Sequence, residues 1–264
     1  MSAPTPALQR LADGPAFWHT VEHHAETGST NDLALDAVRD GVAPGLVVTA
    51  DRQTAGRGRR GRIWEDRPDG ASLAVSVTIP ALTDHRTLVP LVAGVAMADA
   101  LRRMGLRAGL KWPNDVLLEL PAAEGEPRVL RKVAGILAEA LPEGIVIGTG
   151  VNIDFRGLDE IEGATSVAEV LGRDVDRWVL LQGYLRSLEA WFRDLETTGP
   201  VKLLGSYKQR CATLGEEVTA TVAAGPVEGR AVDISPEGAL VLEMADGSTR
   251  VEVTSGEVHS VRRG

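Results

Sequence analysis

The chain has 264 residues, 44% of them hydrophobic and 25% charged, and a net charge of −9. That is long enough for one large domain, or a large and a small one, with a real core. The acidic balance speaks against the broad basic surface of a duplex-binding protein. The single cysteine, Cys211, excludes an internal disulfide and, with no Cys/His cluster beside it, leaves no zinc signature.

The first residues lack the basic and apolar regions of a signal peptide. The longest apolar stretch, 88–101, contains Pro90 and Asp99 and is too short to span a bilayer. The cytoplasm is the expected setting, with no membrane partner.

Residues 1–18, with Pro4, Pro6, Gly14 and Pro15, read as an irregular arm, and 19–24 as a short strand. Glu26 to Asp32 combines a turn with helix-capping residues, and Leu33, Ala34, Ala37 and Val38 give a short helical face stopped by Gly41. Ser29, Thr30 and Asn31 are either plain caps or a polar reading head. A buried strand is expected at 46–49. Residues 72–79 alternate Leu73, Val75, Val77 and Ile79 with Ser72, Ala74, Ser76 and Thr78, a strand ended by Pro80. A long apolar helix over 87–104 stops at Gly105.

Residues 110–115 open a strand region that 116–120 continues. A polar turn at 121–128 leads back into a strand over 129–141, and 144–154 is another. Turns this short give an antiparallel or mixed sheet. Helices are expected at 166–171, 177–195 and 201–211, the middle one with a core stripe of Leu180, Leu181, Tyr184, Leu185, Leu188 and Trp191. From 213 to 261 the pattern changes to short segments (217–222, 227–234, 239–244, 249–253) between glycine-rich turns, an all-β unit read as an SH3-like barrel. The expected division is an arm at 1–18, a main domain at 19–212 and a small one at 213–264.

Four stretches carry chemistry. Between Gly56 and Arg62 the chain alternates three glycines with four arginines and ends at Trp64. Guanidiniums keep their protons and need water or anions, while glycines let backbone approach a ligand and leave a loop free to order on closing. The loop is an anion binder, a solvated turn or a nucleic-acid patch. Gln53 beside it can read a urea, amide or ring edge. In 111–115, Lys-Trp-Pro-Asn-Asp, Pro113 holds Trp112 extended, which leaves Asn114 and Asp115 at a turn facing a nucleotide, a metal or water. Lys132 sits on an apolar strand, and period two puts it on one face with Ala134 and Ile136. It needs a partner such as Asp115, Glu139 or an anionic ligand, or else snorkels to water. Gly135 leaves room beside it for a flat ligand. Residues 148–152, Gly-Thr-Gly-Val-Asn, form a close-approach strand ending in an amide, and no phosphate-binding P-loop occurs in the chain.

In this order, Gly28-Ser29-Thr30-Asn31, 53–62 with Trp64, 111–115, 132–137 and 148–152 resemble the biotin protein ligase family, and the likeness covers about residues 20–261. The resemblance implies an α/β (α+β) fold: a class II synthetase-like catalytic domain with a mixed, largely antiparallel sheet, then a small SH3-like domain. It implies a reaction that joins biotin to ATP as biotinyl-5′-AMP and passes the biotin to a lysine of a biotin carboxyl carrier protein or domain of an acyl-CoA carboxylase. Biotin and ATP are the substrates, with Mg²⁺ accompanying ATP.

By the same resemblance, Ser29, Thr30, Asn31 and Gln53 hold the ureido end of biotin. Gly56, Arg57, Gly58 and Arg59 close over it, with Gly135 beside it. Lys132 and Arg59 meet the carboxylate and the α-phosphate. Arg59, Arg62, Trp64, Asn114 and Asn152 bind ATP or the adenylate. Asp115 is expected to act in catalysis by orienting Lys132, or to meet Mg²⁺. Only 25 residues precede Glu26, too few for the DNA-binding domain of some relatives, so a monofunctional ligase is expected. The hairpin at 119–131 departs from the family in length and carries Pro121, Gly125 and Pro127. The nearest alternative is a lipoate or octanoate transferase of the same fold, against which the arginine loop and the C-terminal unit argue. A DNA-binding module ranks lower. Monomer and homodimer remain equally open.

Overall fold

A computed structural model describes residues 17–65, 67, 70–121, 128–222 and 225–260. Most of the arm at 1–18, and Gly125 and Pro127 of the long hairpin, lie outside the described residues.

The main sheet has seven strands: β1 (Thr20–Thr27), β2 (Leu46–Gln53), β3 (Ser72–Pro80), β4 (Ala108–Lys111), β5 (Asp115–Glu119), β6 (Leu130–Ala140) and β7 (Gly144–Asn152). Their order is β1-β2-β3-β7-β6-β5-β4. Only β1 and β2 run parallel; every other neighbouring pair is antiparallel. The turn lengths left an antiparallel or a mixed sheet open; the sheet observed is the mixed, largely antiparallel one that the resemblance implied.

Helices cover both faces, which is why β3 is buried on both. On one face α1 (Thr30–Arg39) packs Ala34, Leu35 and Val38 against Leu46, Val48 and Val146. On the other, α2 (Val89–Arg103), α4 (Arg177–Thr198) and α5 (Val201–Arg210) cover Leu73, Val75, Val77 and Ile79. The serines and threonines of β3 therefore face protein, not water. Thr78 Oγ1 accepts the amides of Gly45 and Leu46 at 3.2 and 3.1 Å. The short α3 (Val167–Leu171) starts at a capping box formed by Ser166 and Glu169.

Two expectations change. Residues 110–120 are not one strand region: β4 and β5 form a tight antiparallel hairpin with Lys111 opposite Asp115 and a cis Trp112–Pro113 peptide at the turn. The period-two reading of Lys132 also fails. Val116 pairs with Ala134, yet Leu117 pairs with Lys132, so β6 carries one extra residue, Val133, at a bulge. The bulge shifts Lys132 off the face it would share with Ala134 and Ile136, both buried in the core.

The second sheet has the order β11-β10-β9-β8-β12, from β8 (Glu217–Val222), β9 (Gly225–Ile234), β10 (Leu240–Glu243), β11 (Arg250–Val253) and β12 (Glu257–Ser260). It is antiparallel throughout, and β12 was not among the segments read from the sequence. Trp112 ties the two sheets together. Its Nε1 donates to Gly238 O at 3.0 Å and its amide to Thr213 Oγ1 at 3.0 Å. Gly238, at φ 84°, approaches Leu88 so closely that a Cβ would lie 2.8 Å from Leu88 Cδ2.

Candidate active site

The residues before α1, the end of β2, the arginine loop, the β4–β5 turn, the middles of β6 and β7 and the start of β12 surround one cavity of about 190 Å³. Its lining holds six cations (Arg57, Arg59, Arg60, Arg62, Lys111 and Lys132) against two carboxylates, Asp115 and Glu257. In an acidic chain this is a local basic basin, the electrostatic signature of an anionic ligand.

The loop is a small hairpin lying over the sheet. Arg57 bridges to Ile63, Gly58 N donates to Arg62 O at 2.7 Å and Trp64 N to Gly56 O at 2.9 Å. Arg60 takes a left-handed φ of 57° at its tip. Each arginine has a partner. Arg57 forks onto both oxygens of Glu139 at 3.1 and 2.7 Å and meets Asp32 at 2.8 Å. Arg59 donates to Asn114 Oδ1 at 2.9 Å. Arg60 donates to Thr221 O at 3.1 Å, and Arg62 pairs with Glu257. The loop thus straps the two sheets together. Burial, aided by the neighbouring Arg60, lowers the affinity of Arg59 for its proton, so an incoming anion would relieve a desolvated charge there.

Lys132 Nζ is 2.7 Å from Asp115 Oδ1. Its side chain runs along β6 over Gly135, where a Cβ would sit 3.2 Å from Nζ and 3.3 Å from Cε. The backbone of Lys132 is held as well: its amide donates to Gly163 O at 2.8 Å, and its carbonyl accepts from Thr165 N at 2.9 Å.

Gly135 and Gly150 face each other across β6 and β7. The indole of Trp64 lies on them, with Cζ3 3.0 Å from a Cβ placed on Gly135 and Cε2 2.3 Å from one on Gly150. The room expected beside Gly135 for a flat ligand is thus occupied by Trp64. Trp64 Nε1 is buried and has no hydrogen-bond partner among the described residues, a donor that a phosphate oxygen or ring nitrogen would satisfy.

Ser29 is the N-cap of α1, but its side chain makes no capping bond. The polar residues serve each other instead. Thr30 N donates to Gln53 Oε1 at 2.9 Å, and Thr30 Oγ1 lies 3.1 Å from the same oxygen. Ser76 Oγ lies 2.8 Å from Thr30 Oγ1 and 2.6 Å from Asn31 Oδ1. Asn31 Nδ2 donates to Glu139 Oε2 at 2.7 Å.

Of the sequence-predicted residues, Ser29, Thr30, Asn31, Gln53, Arg57, Gly58, Arg59, Arg62, Trp64, Asn114, Asp115, Lys132 and Gly135 all line this cavity. Gly56 and Asn152 do not. Gly56 packs where a Cβ would lie 2.6 Å from Trp64 O. Asn152 turns its amide to Thr165 O at 3.0 Å and Lys132 O at 3.5 Å, behind the lysine. Arg60, Glu257 and Gly256 join the cavity without having been singled out individually. The last two come from the second sheet, and no local pattern at 256–257 foretells contact with residues two hundred positions away.

Residues 25–155 match the Biotin/lipoate A/B protein ligase family, and residues 213–259 match the Biotin protein ligase C terminal domain. A biotin–acetyl-CoA-carboxylase ligase of Mycobacterium tuberculosis is 34% identical over 96% of this chain and 93% of its own. The chain belongs to the biotin protein ligase family. A bifunctional ligase/repressor of Bacillus subtilis is 30% identical over 87% of this chain and 71% of its own. The structure of an Aquifex aeolicus biotin protein ligase in complex with biotin and ATP superposes with a TM-score of 0.78 at 28% identity, covering 92% of this chain and 99% of that one. The description of the C-terminal match names biotin protein ligase alone, where that of the first names biotin and lipoate together. No helix among the described residues is long and apolar enough to cross a membrane.

Proposed function

We propose that this biotin protein ligase carries out both steps of its reaction at the cavity around Lys132. In the first, a carboxylate oxygen of biotin bonds to the α-phosphorus of ATP while the bond to the bridging β-oxygen breaks, and pyrophosphate leaves. In the second, a neutral lysine amine of a biotin carboxyl carrier domain bonds to the acyl carbon. AMP leaves with the electron pair, and the amine loses a proton.

The observation that carries this reading is the position of Lys132. Its ammonium, braced by Asp115 at 2.7 Å, lines the same basin as the polar row at 29–31 and the arginine loop. A carboxylate attacking a phosphate brings like charges together, and fixed cations lower that barrier where water is excluded. Lys132 and Arg59 supply them. Ser29, Thr30, Asn31 and Gln53 take the ureido ring, Arg57 and Gly58 close over it, and Arg62, Trp64 and Asn114 take the nucleotide. Asn152 contributes from behind by bracing the backbone of Lys132. Asp115 orients the lysine and is a positioning residue.

A cavity of about 190 Å³ is below the ~300 Å³ at which ligand pockets begin. Two substrates therefore enter with the loop lifted from Thr221, Gly256 and Glu257, and the loop closes after them. Mg²⁺ arrives on the triphosphate as part of the substrate. Asp115 and Glu257, the carboxylates lining the cavity, are each already paired with a cation, which suits a metal carried in by phosphate better than a resident one. The setting is the cytoplasm, where ATP and carrier are both at hand.

The test is transfer of labelled biotin to a carrier domain in the presence of ATP. Label on the carrier lysine is the expected result; ATP-independent labelling, or none, would contradict it.

A further inference from the structure

Glu139 lines no part of the cavity, yet two of its functional parts converge on it. Asn31 donates to its Oε2 at 2.7 Å, and Arg57 forks onto both of its oxygens. Asn31, Thr30 and Ser76 are 4%, 3% and 0% exposed, so the hydrogen bonds in the row linking them to Glu139 must be made internally.

The protons in that row can be counted. A carboxylate only accepts, so Asn31 must turn Nδ2 to Glu139 and Oδ1 to Ser76. At 2.6 Å that oxygen takes the one proton of Ser76. With that proton spent, the 2.8 Å contact between Ser76 and Thr30 is assigned to the single hydroxyl proton of Thr30, with Ser76 as acceptor. Three oxygen–oxygen contacts share two hydroxyl protons. On this assignment the contact without a proton is the longest, Thr30 Oγ1 to Gln53 Oε1 at 3.1 Å. It lies at the cavity end of the row.

Resting on the biotin-binding reading above, we infer that Glu139 is a positioning residue that sets the hydrogen-bond polarity of this row, so that the Thr30 hydroxyl meets the ligand as an acceptor. The matching ligand group is a ring N–H, which a ureido ring carries. With a neutral amide at 139, Asn31 can flip, Ser76 can donate to Thr30 and Thr30 to Gln53. The row then closes on itself and no longer calls for an N–H from the ligand. Gly148 shows how tightly Asn31 is placed: a Cβ there would lie 2.0 Å from Asn31 Oδ1.

The experiment is steady-state biotin-dependent ATP–pyrophosphate exchange by the full chain and by Glu139→Gln, Ser76→Ala and the double variant, with thermal unfolding as a check on folding. Glu139→Gln should raise the biotin KM about tenfold or more, the loss of one hydrogen bond in a buried row, with ATP KM and kcat within about twofold. In the Ser76→Ala background the second substitution should add little, because the relay is already cut. An unchanged biotin KM in Glu139→Gln overturns the inference. So does a full extra effect on top of Ser76→Ala, which would mean that Glu139 acts through Arg57 alone. A wild-type chain that exchanges with no biotin overturns the functional reading and this inference together; one that exchanges normally while Glu139→Gln matches it overturns this inference alone.

Discussion

Lys132 reaches Asp115 because β6 gains a residue between them. Asp115 stands opposite Gly135, and Lys132 opposite Leu117, with the bulge at Val133 turning the lysine toward the glycine face. The missing Cβ of Gly135 is the trough along which the side chain runs to the carboxylate at 2.7 Å. An ammonium so fixed costs no reorganisation when charge develops in front of it.

Replacing Lys132 with alanine removes the cation that the proposed reaction sets beside the reacting atoms, while trimming only a side chain of intermediate exposure. Adenylate formation in single turnover should fall at least about a hundredfold, or ~3 kcal/mol in barrier, with an unchanged melting profile. Asp115→Asn should lower kcat less, since it loosens the lysine without removing it. Normal adenylation by Lys132→Ala would remove the role given to it.

Gly150 and Gly135 form the bed of Trp64. An alanine at 150 would put its Cβ 2.3 Å from the indole, so the ring must rise off the sheet. Tryptophan fluorescence should shift to the red and the ATP KM should rise several-fold, with a stability loss of about 1–3 kcal/mol from overpacking. Unchanged fluorescence and KM would mean that Trp64 does not rest on this surface in solution.

The arginine loop is strapped to the second sheet by Arg60 to Thr221 and Arg62 to Glu257. Arg62→Ala should speed amide exchange across 55–64 in the free chain, and biotin with ATP should slow it in the wild type. Equal exchange with and without substrates would refute closure.

The hydrogen bond from Arg62 holds the Glu257 carboxyl below the usual glutamate range. A lowered folded-state value means that the strap is stabilised in full above the ordinary glutamate range, and that this is lost as pH falls through the lowered value. Loop exchange should therefore rise as the pH falls below the ordinary glutamate range, and Glu257→Gln should show the faster exchange at neutral pH with less further change on acidification. An acid response that survives intact in Glu257→Gln would assign it to other groups.

Residue types left Thr30 a plain cap or a reading head and Lys132 a paired or a snorkelling lysine; the family resemblance joined them with Gln53, Arg57, Arg59, Asn114 and Asp115, and the fold brings all seven to one cavity. What local pattern could not show was register. Strict alternation puts Lys132 with Ala134, and only pairing with β5 reveals the bulge. Trp112, read from the sequence only as held extended by Pro113, is the pin between two sheets, a role hidden because its indole partner, Gly238, comes from far along the chain. Glu139 went unnoticed except as a possible partner for Lys132, since its true partners, Asn31 and Arg57, lie about a hundred residues away. The short strand β12 carried too few apolar residues to announce itself.

The central claim is that this cavity activates biotin with ATP. It is tested most directly by pyrophosphate exchange into ATP with the wild-type chain, run with biotin, with lipoate and with neither. Exchange that depends on biotin is the predicted result; exchange with lipoate and none with biotin would contradict the account.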